Sequence, residues 1–249
     1  MRRCLGCSYM ADMDNIIKCM AKQLRDGDIA YTGLTSVPAV LAIALARYWG
    51  LSIWFINVAE VYEPRDITVM PSSGDPYSFI NGRGFITSLD AFDLARRGQL
   101  DVMFFSAAQV DRHGNMNLSV IGNYERPRVR LPGGAAAAYL YRRARRIIMW
   151  LSEHSRRTLV DRVDFITAPG PTRQGPSLTI CTPKAMFEFD HDAGELVLTG
   201  LFPRVSFDDV INNMAFKPRV REPLNMLETV NTEELQFLNK LDPNGVRYT

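Results

Sequence analysis

A chain of 249 residues, 47% of them hydrophobic, holds enough apolar material for one large α/β domain with a substantial core. Its 29 basic and 27 acidic side chains leave a formal charge of +2, a near-balance that argues against nucleic acid or a membrane surface as partner. No apolar run approaches a membrane span, and Met1-Arg-Arg opens no apolar leader.

Cys4, Cys7, Cys19 and Cys181 make no disulfide framework for a chain of this size and read as reduced thiols of a cytoplasmic protein. Cys4-Leu-Gly-Cys7 has zinc-knuckle spacing, but no second pair follows and His113, His154 and His191 are scattered, so no metal site is expected.

In chain order, Asp12 or Asp14 caps a helix running to Leu24, with Ile16, Ile17, Met20 and Leu24 on one face and Gly27 as its stop. Asp28-Ile-Ala-Tyr-Thr32 is a short strand and Gly33 to Ser36 a loop. Pro38 then stands in the first turn of a helix reaching about Tyr48. Leu51 to Val58 is the next buried strand. Helix, strand, helix, strand is the rhythm of an open, mostly parallel sheet flanked by helices. The irregular polar stretch from Ala59 to Pro76 follows a strand, and open α/β sheets bind their ligands at the carboxyl ends of strands. A helix over Asp90 to Arg97 leads into a buried run from Asp101 to Ala108.

That run ends in a polar turn, Gln109 to Asn117, followed by a short apolar run, Leu118 to Gly122, and a Pro/Arg connection. Pro132-Gly133-Gly134-Ala135 then opens a helix. Two adjacent glycines leave no side chain between backbone and whatever approaches, and helix N–H groups follow at once. The pairing suits an anion or oxyanion cradle, although a tight turn packed on its neighbours satisfies the same spacing. Arg145 to Leu151 is a strand; Arg142, Arg143, Arg145, Arg146, Arg156 and Arg157 read as a solvated face ahead of a phosphate patch. Leu178 to Cys181, Ala185 to Phe189 and Glu195 to Thr199 are strands, the last two forming a hairpin through Asp190-His-Asp-Ala-Gly194. Short helices follow at Val205 to Asn213 and from Thr232. No repeat or composition break divides the chain, so residues 1–249 are expected to form a single domain.

Several ordered pieces carry a resemblance. Ala107-Ala-Gln-Val-Asp-Arg-His-Gly-Asn-Met-Asn117, Gly133-Gly-Ala135, Val163-Asp-Phe-Ile-Thr-Ala-Pro-Gly170 and the tail from Leu201 to Gly245 resemble the β subunit of family I CoA-transferases, the glutaconate branch above all. The resemblance runs from about residue 12 onward. It implies the CoA-transferase fold with a C-terminal hairpin region. It also implies a homologous α subunit, in an α/β heterodimer or heterotetramer sharing the active site. The substrate would be an acyl-CoA thioester, the reaction CoA transfer between carboxylates, and no cofactor would be permanently bound.

One departure bears on the reaction. Family transferases carry Glu-Ser-Gly or Glu-Asn-Gly just after the second strand, and that glutamate becomes a glutamyl-CoA thioester. This chain reads Asn57-Val-Ala-Glu60 with no glycine after the glutamate. Counted back from Ser73-Gly-Asp75, Val58 or Ala59 falls where the nucleophile belongs, with Glu60 displaced by a residue or two and Glu63 by more. The β subunits of steroid ring-opening CoA-thioester hydrolases also resemble this chain and lack the triplet. They imply water attack on a cyclic ketone, with a carboxylate base supplied mainly by the α subunit. A catalytically silent β subunit is the remaining alternative. Glu60 is the catalytic candidate. Gly133, Gly134 and Ala135 are expected to shape the thioester pocket, and Gln109 and Asn115 to line it, while Asp111 and His113 read as turn residues.

Overall fold

The computed structural model describes residues 5–33, 36–58, 60–64, 67, 69, 75 and 82–249, with 5–11 and Pro64 described through their backbone alone. Cys4 and Cys7, and most of the irregular stretch after β-strand 61–64, including Ser73 and Gly74, therefore lie outside it or outside its side chains. The chain forms two compact units, Met1–Phe104 with Glu228–Thr249, and Phe105–Leu227.

The first unit contains α1 (Leu5–Ala21), β1 (Ile29–Thr32), α2 (Val37–Tyr48), β2 (Trp54–Asn57), β3 (Val61–Pro64), β4 (Gly82–Phe85), α3 (Ser88–Arg96) and the start of β5 (Val102–Ser106). β1 runs parallel to both β2 and β5. β3 and β4 extend the far side antiparallel. The parallel strands are continuous apolar runs because both their faces are covered. α2 is apolar nearly all round, and its buried residues Leu41, Ile43 and Leu45 fill the centre of the unit.

α1 begins well before the expected cap. Asp14 is an interior residue of the helix, buried, and its Oδ1 accepts from Arg247 Nε at 2.8 Å. A distant arginine, rather than a helix start, satisfies this carboxylate. Lys18, one turn on, donates to Glu234 Oε2 at 2.9 Å, so the C-terminal helix Thr232–Leu241 is pinned to α1 by a buried charge pair.

The second unit contains β6 (Gln109–Val110), β7 (Met116–Asn117), β8 (Val120–Gly122), β9 (Pro127–Arg130), α4 (Ala137–Leu140), β10 (Arg146–Trp150), β11 (Ser177–Cys181), β12 (Ala185–Asp190), β13 (Glu195–Leu201), α5 (Phe207–Asn212) and β14 (Arg219–Met226). β10 and β11 are parallel, β12 pairs antiparallel with β11, and β12 and β13 form the expected hairpin. β14 joins β13 in parallel as an exposed strand with no apolar run, which is why local pattern gives no sign of it. β6–β7 and β8–β9 are separate two-stranded ribbons. The class is the expected one: α/β, with a large mostly parallel sheet flanked by helices and antiparallel strands at its margins. Among the described residues no helix is long and apolar enough to cross a membrane.

Candidate active site

Glu60 lies in the tight turn joining β2 to β3. Asn57 pairs with Val61, and Glu60 N donates to Asn57 O at 2.9 Å to close the turn. The last residue of such a three-residue loop adopts left-handed backbone, normally glycine, and Glu60 sits there with φ 64°. An L-residue in that conformation costs roughly 1–2 kcal/mol. The side chain reaches α3, where Oε1 accepts from Ser88 N at 2.9 Å and from Ser88 Oγ at 3.2 Å. Ser88 is the first residue of α3 after the Thr87 cap, so the carboxylate rests at the positive end of a helix. Among the described residues its other oxygen, Oε2, has no hydrogen-bond partner.

Tyr31 closes this cluster from the end of β1. Burial lifts its hydroxyl above the ordinary range, a hydrogen bond with Ser88 draws it partly back, and the Glu60 charge pushes it up again. Next to it in sequence, Thr32 Oγ1 is fully buried and has no hydrogen-bond partner among the described residues. All of these groups stand at the carboxyl ends of β1 and β2, the end at which open α/β sheets bind ligands. The sequence marks the region through Glu60 but does not mark Tyr31, Thr32 or Ser88, since nothing in periodicity distinguishes a strand-end hydroxyl from core filling.

Glu63, the next carboxylate, is spent on the fold. Its Oε1 accepts from Phe55 N at 2.7 Å and from Arg47 Nη2 at 2.6 Å. With Arg47, Trp54 and Arg83 it lines a cavity of about 400 Å³ at the amino end of β2, away from Glu60.

The other predicted residues lie in the second unit. Gln109 Oε1 accepts from Asn117 Nδ2 at 2.7 Å and Asp164 N at 3.0 Å, while its Nε2 donates to Asp164 Oδ2 at 3.3 Å. Asn115 donates to Asp111 Oδ2 at 3.0 Å and accepts from Gly170 N at 2.9 Å. Asp111 Oδ1 accepts from His113 N and Asn115 N, and Tyr141 Oη donates to Gly114 O at 2.8 Å. Burial first, then the Asp111 charge, raises the Tyr141 hydroxyl well above its ordinary range, so it stays a donor. These side chains tie the ribbon turn to the segment 164–170; Asp111 and His113 are turn residues, as expected.

Gly133 has φ 92°, donates to Leu118 O at 2.8 Å, and would present a Cβ to open space. Gly134 differs, because the Thr167 methyl already fills the volume its Cβ would need. Ala135 holds φ 38°, and the helix that follows, α4, is a single turn of 4 residues. The expected row of helix N–H groups is thus reduced to one turn, since the strained Ala135 delays helix entry. Gln109 bonds Asn117, whose neighbour Leu118 accepts from Gly133 N, while Asn115 is bonded to Asp111 and Gly170 instead. Glu60 belongs to the other unit.

With this geometry in hand, comparison with known proteins is specific. Residues 13–213 match the family model described as Coenzyme A transferase. The chain is 30% identical over 239 residues to the B subunit of 3-oxoadipate CoA-transferase from Pseudomonas knackmussii, covering 89% of each. It is 26% identical over 216 residues to the B subunit of glutaconate CoA-transferase from Acidaminococcus fermentans, covering 79% of each. The cholesterol ring-cleaving hydrolase IpdB subunit of Rhodococcus jostii is 25% identical over 176 residues, covering 66% of this chain and 68% of that one. Among solved structures, the decarboxylase AibA/AibB superposes with a TM-score of 0.86 at 30% identity, over 96% of this chain and 97% of that one. Sequence, fold and the ordered motif segments converge: the chain belongs to the coenzyme A transferase family.

Proposed function

We infer that this chain is the β subunit of a heteromeric CoA-transferase-like enzyme. It is a single domain working in the cytoplasm on an acyl-CoA thioester, with a homologous α subunit completing the site and no permanently bound cofactor. The family match and the subunit names of its relatives support this reading. Those relatives are named as transferases, as a hydrolase and, among solved structures, as a decarboxylase, so membership of the family leaves the reaction open.

The observation that supports one reading of the reaction is the placement of Glu60. Covalent transfer asks a carboxylate to attack a thioester carbonyl and later to leave. Here the turn fixes Glu60 in left-handed backbone, and Ser88 occupies Oε1 with two donors. A carboxylate held in this way suits placed charge, or removal of a proton from water through Oε2, better than covalent attack. The favoured reading is therefore non-covalent, hydrolysis-like chemistry on a CoA-linked group. In the first unit Glu60 serves as anchored anion or base; in the second, taken by itself, Gly133, Gly134 and Ala135 are the residues proposed to contact the thioester, with Gln109 and Asn115 supporting that loop. Ordinary transfer through a glutamyl-CoA adduct is the second reading, favoured by an Oε2 that has no hydrogen-bond partner among the described residues.

The test uses the complex co-expressed with its α subunit. Acyl-CoA is added without acceptor, followed by hydroxylamine or borohydride trapping and peptide mass spectrometry. No CoA-derived adduct on Glu60, with labelled water oxygen in the product, is expected. An adduct on Glu60 and ping-pong exchange would establish transfer instead.

A further inference from the structure

The β8–β9 ribbon carries arginine at every second position, Arg126, Arg128 and Arg130, and all three are exposed. In the same unit Arg112, Arg157, Arg173, Arg219 and Arg221 each lie against a carboxylate. The guanidinium groups of Arg126 and Arg128 have no hydrogen-bond or ion-pair partner among the described residues. Glu125 is the one acidic residue in the turn itself. The nearby Asp164 is engaged, since its Oδ2 accepts from Gly122 N at 2.8 Å and from Gln109.

The backbone sets these arginines in place. Ile121 faces Val129 and Gly122 faces Pro127, so Arg128 is the extra residue of a bulge. A Cβ on Gly122, whose φ is 91°, would stand 3.5 Å from Arg128 Nε; the glycine leaves bare backbone along which the arginine lies. Arg130, two residues on and on the same face of β9, sits 5.1 Å over the Tyr124 ring, and that ring stacks on Phe165 with 5.0 Å between centroids. Asn123 Oδ1 accepts from Glu125 N at 2.8 Å and Arg126 N at 3.3 Å, which shapes the turn carrying Arg126.

β9 runs straight into the glycine loop. Leu131 N donates to Ser119 O at 3.0 Å and Gly133 N to Leu118 O at 2.8 Å, so the ribbon's pairing continues to Gly133. At about 3.4 Å per residue, Arg130 lies at most ~10 Å and Arg126 at most ~24 Å from Gly133 along the chain. A CoA thioester has its reacting carbonyl and its phosphates at opposite ends of a long pantetheine arm. A molecule with its thioester at Gly133 can lay that arm along β9, and guanidinium groups are the side chains best matched to phosphate.

Resting on the acyl-CoA reading above, we propose that Arg126, Arg128 and Arg130 bind the phosphorylated nucleotide end of the CoA thioester whose reacting end lies at the Gly133 loop. They thereby set the preference for CoA over a thioester lacking the nucleotide.

The test is calorimetric titration of the complex with free CoA and with pantetheine, for the native chain, the double variant Arg126→Gln/Arg128→Gln, and Arg128→Lys. CoA affinity should fall on the order of 10- to 100-fold in the double variant, with Arg128→Lys recovering part of it and pantetheine binding unchanged. The native preference for CoA should also shrink as salt is raised. Unchanged CoA affinity, or equal losses for CoA and pantetheine, would overturn the site. Loss that tracks dissociation of the complex on a sizing column would overturn it in favour of a contact with the α subunit. The readout is binding, so it separates two failures. A complex that binds CoA through this ribbon yet turns over no acyl-CoA supports the site and sinks the reading of the reaction.

Discussion

Thr167 stands where a Cβ on Gly134 would have to go. Its methyl fills that volume while its Oγ1 accepts from Leu118 N at 2.8 Å and meets Ser119 Oγ at 2.7 Å. The glycine requirement at position 134 is therefore set from inside the protein. Gly134→Ala should cost about 1–3 kcal/mol of stability through overpacking. Thr167→Ser deletes the methyl and keeps both hydroxyl contacts, so the double variant should recover most of the loss. Urea denaturation of the four proteins of the cycle reads the coupling directly. If Gly134→Ala proves as stable as the native chain, the constraint comes from the ligand side.

Thr32 gives the opposite expectation. Among the described residues its buried hydroxyl has no partner, and a buried hydroxyl left so is destabilising where it stands. Thr32→Val keeps the shape and removes the polar atom, so stability should hold or rise by about 1 kcal/mol. If the hydroxyl serves substrate at the end of β1, kcat of the complex should fall while the melting temperature does not. A loss of stability would show instead that Thr32 makes a bond in solution that the structure does not record.

His154 predicts a pH dependence. Its ring lies between Thr182 Oγ1 at 2.9 Å and Val210 O at 3.2 Å, and burial pushes it down to about 4 from an ordinary 6.5, against a smaller upward pull from the Val210 carbonyl. Below the ordinary value the unfolded chain takes up a proton that the folded chain refuses until about pH 4. The unfolded state thus binds more protons across that window, and stability falls as pH drops through it, by up to roughly 3 kcal/mol, while staying level above it. His154→Gln should flatten this slope in urea midpoints measured from pH 7 to 4. An identical slope in the variant would remove His154 from the account.

Arg247 is buried against Asp14 and Asp242, with ion-pair distances of 2.8 and 3.0 Å. Arg247→Met leaves two buried carboxylates without their counter-charge and should cost about 3–5 kcal/mol. Arg219→Met, which breaks an exposed pair with Glu195, should cost about 1 kcal/mol or less. Chemical denaturation of both variants tests the contrast; equal losses would mean that the buried cluster is replaceable by packing alone.

What could be read in advance follows physical lines. β1, β2 and β5 were legible because strands covered on both faces are continuous apolar runs, and α2 because its proline and buried face agree. β3 and β4 were not: Val61-Tyr-Glu-Pro64 and Gly82-Arg-Gly-Phe85 contain residues that local rules remove from strands, and only their neighbours make them pair. Four alanines after Gly134 promise a helix, yet with Ala135 in positive φ and the Thr167 contact it is one turn. Asp14 reads locally as a helix cap, whereas its partner is at the other end of the chain. Around the candidate site, Glu60 was visible as a displaced carboxylate. Ser88, which holds it from 28 positions away, is a long-range partner that no window of sequence contains.

The charge pairs between α1 and residues 228–249 also govern how the chain matures. Lys18 and Asp14 are made early, but Glu234, Asp242 and Arg247 leave the ribosome only after the whole of the second unit. At translation rates of about 5–20 residues per second the early helices wait on the order of ten seconds with these charges unmatched. The second unit, continuous in sequence, has all its residues available first. The first unit closes only when the final segment folds back onto it, so shortening that segment would trap a nascent chain half assembled.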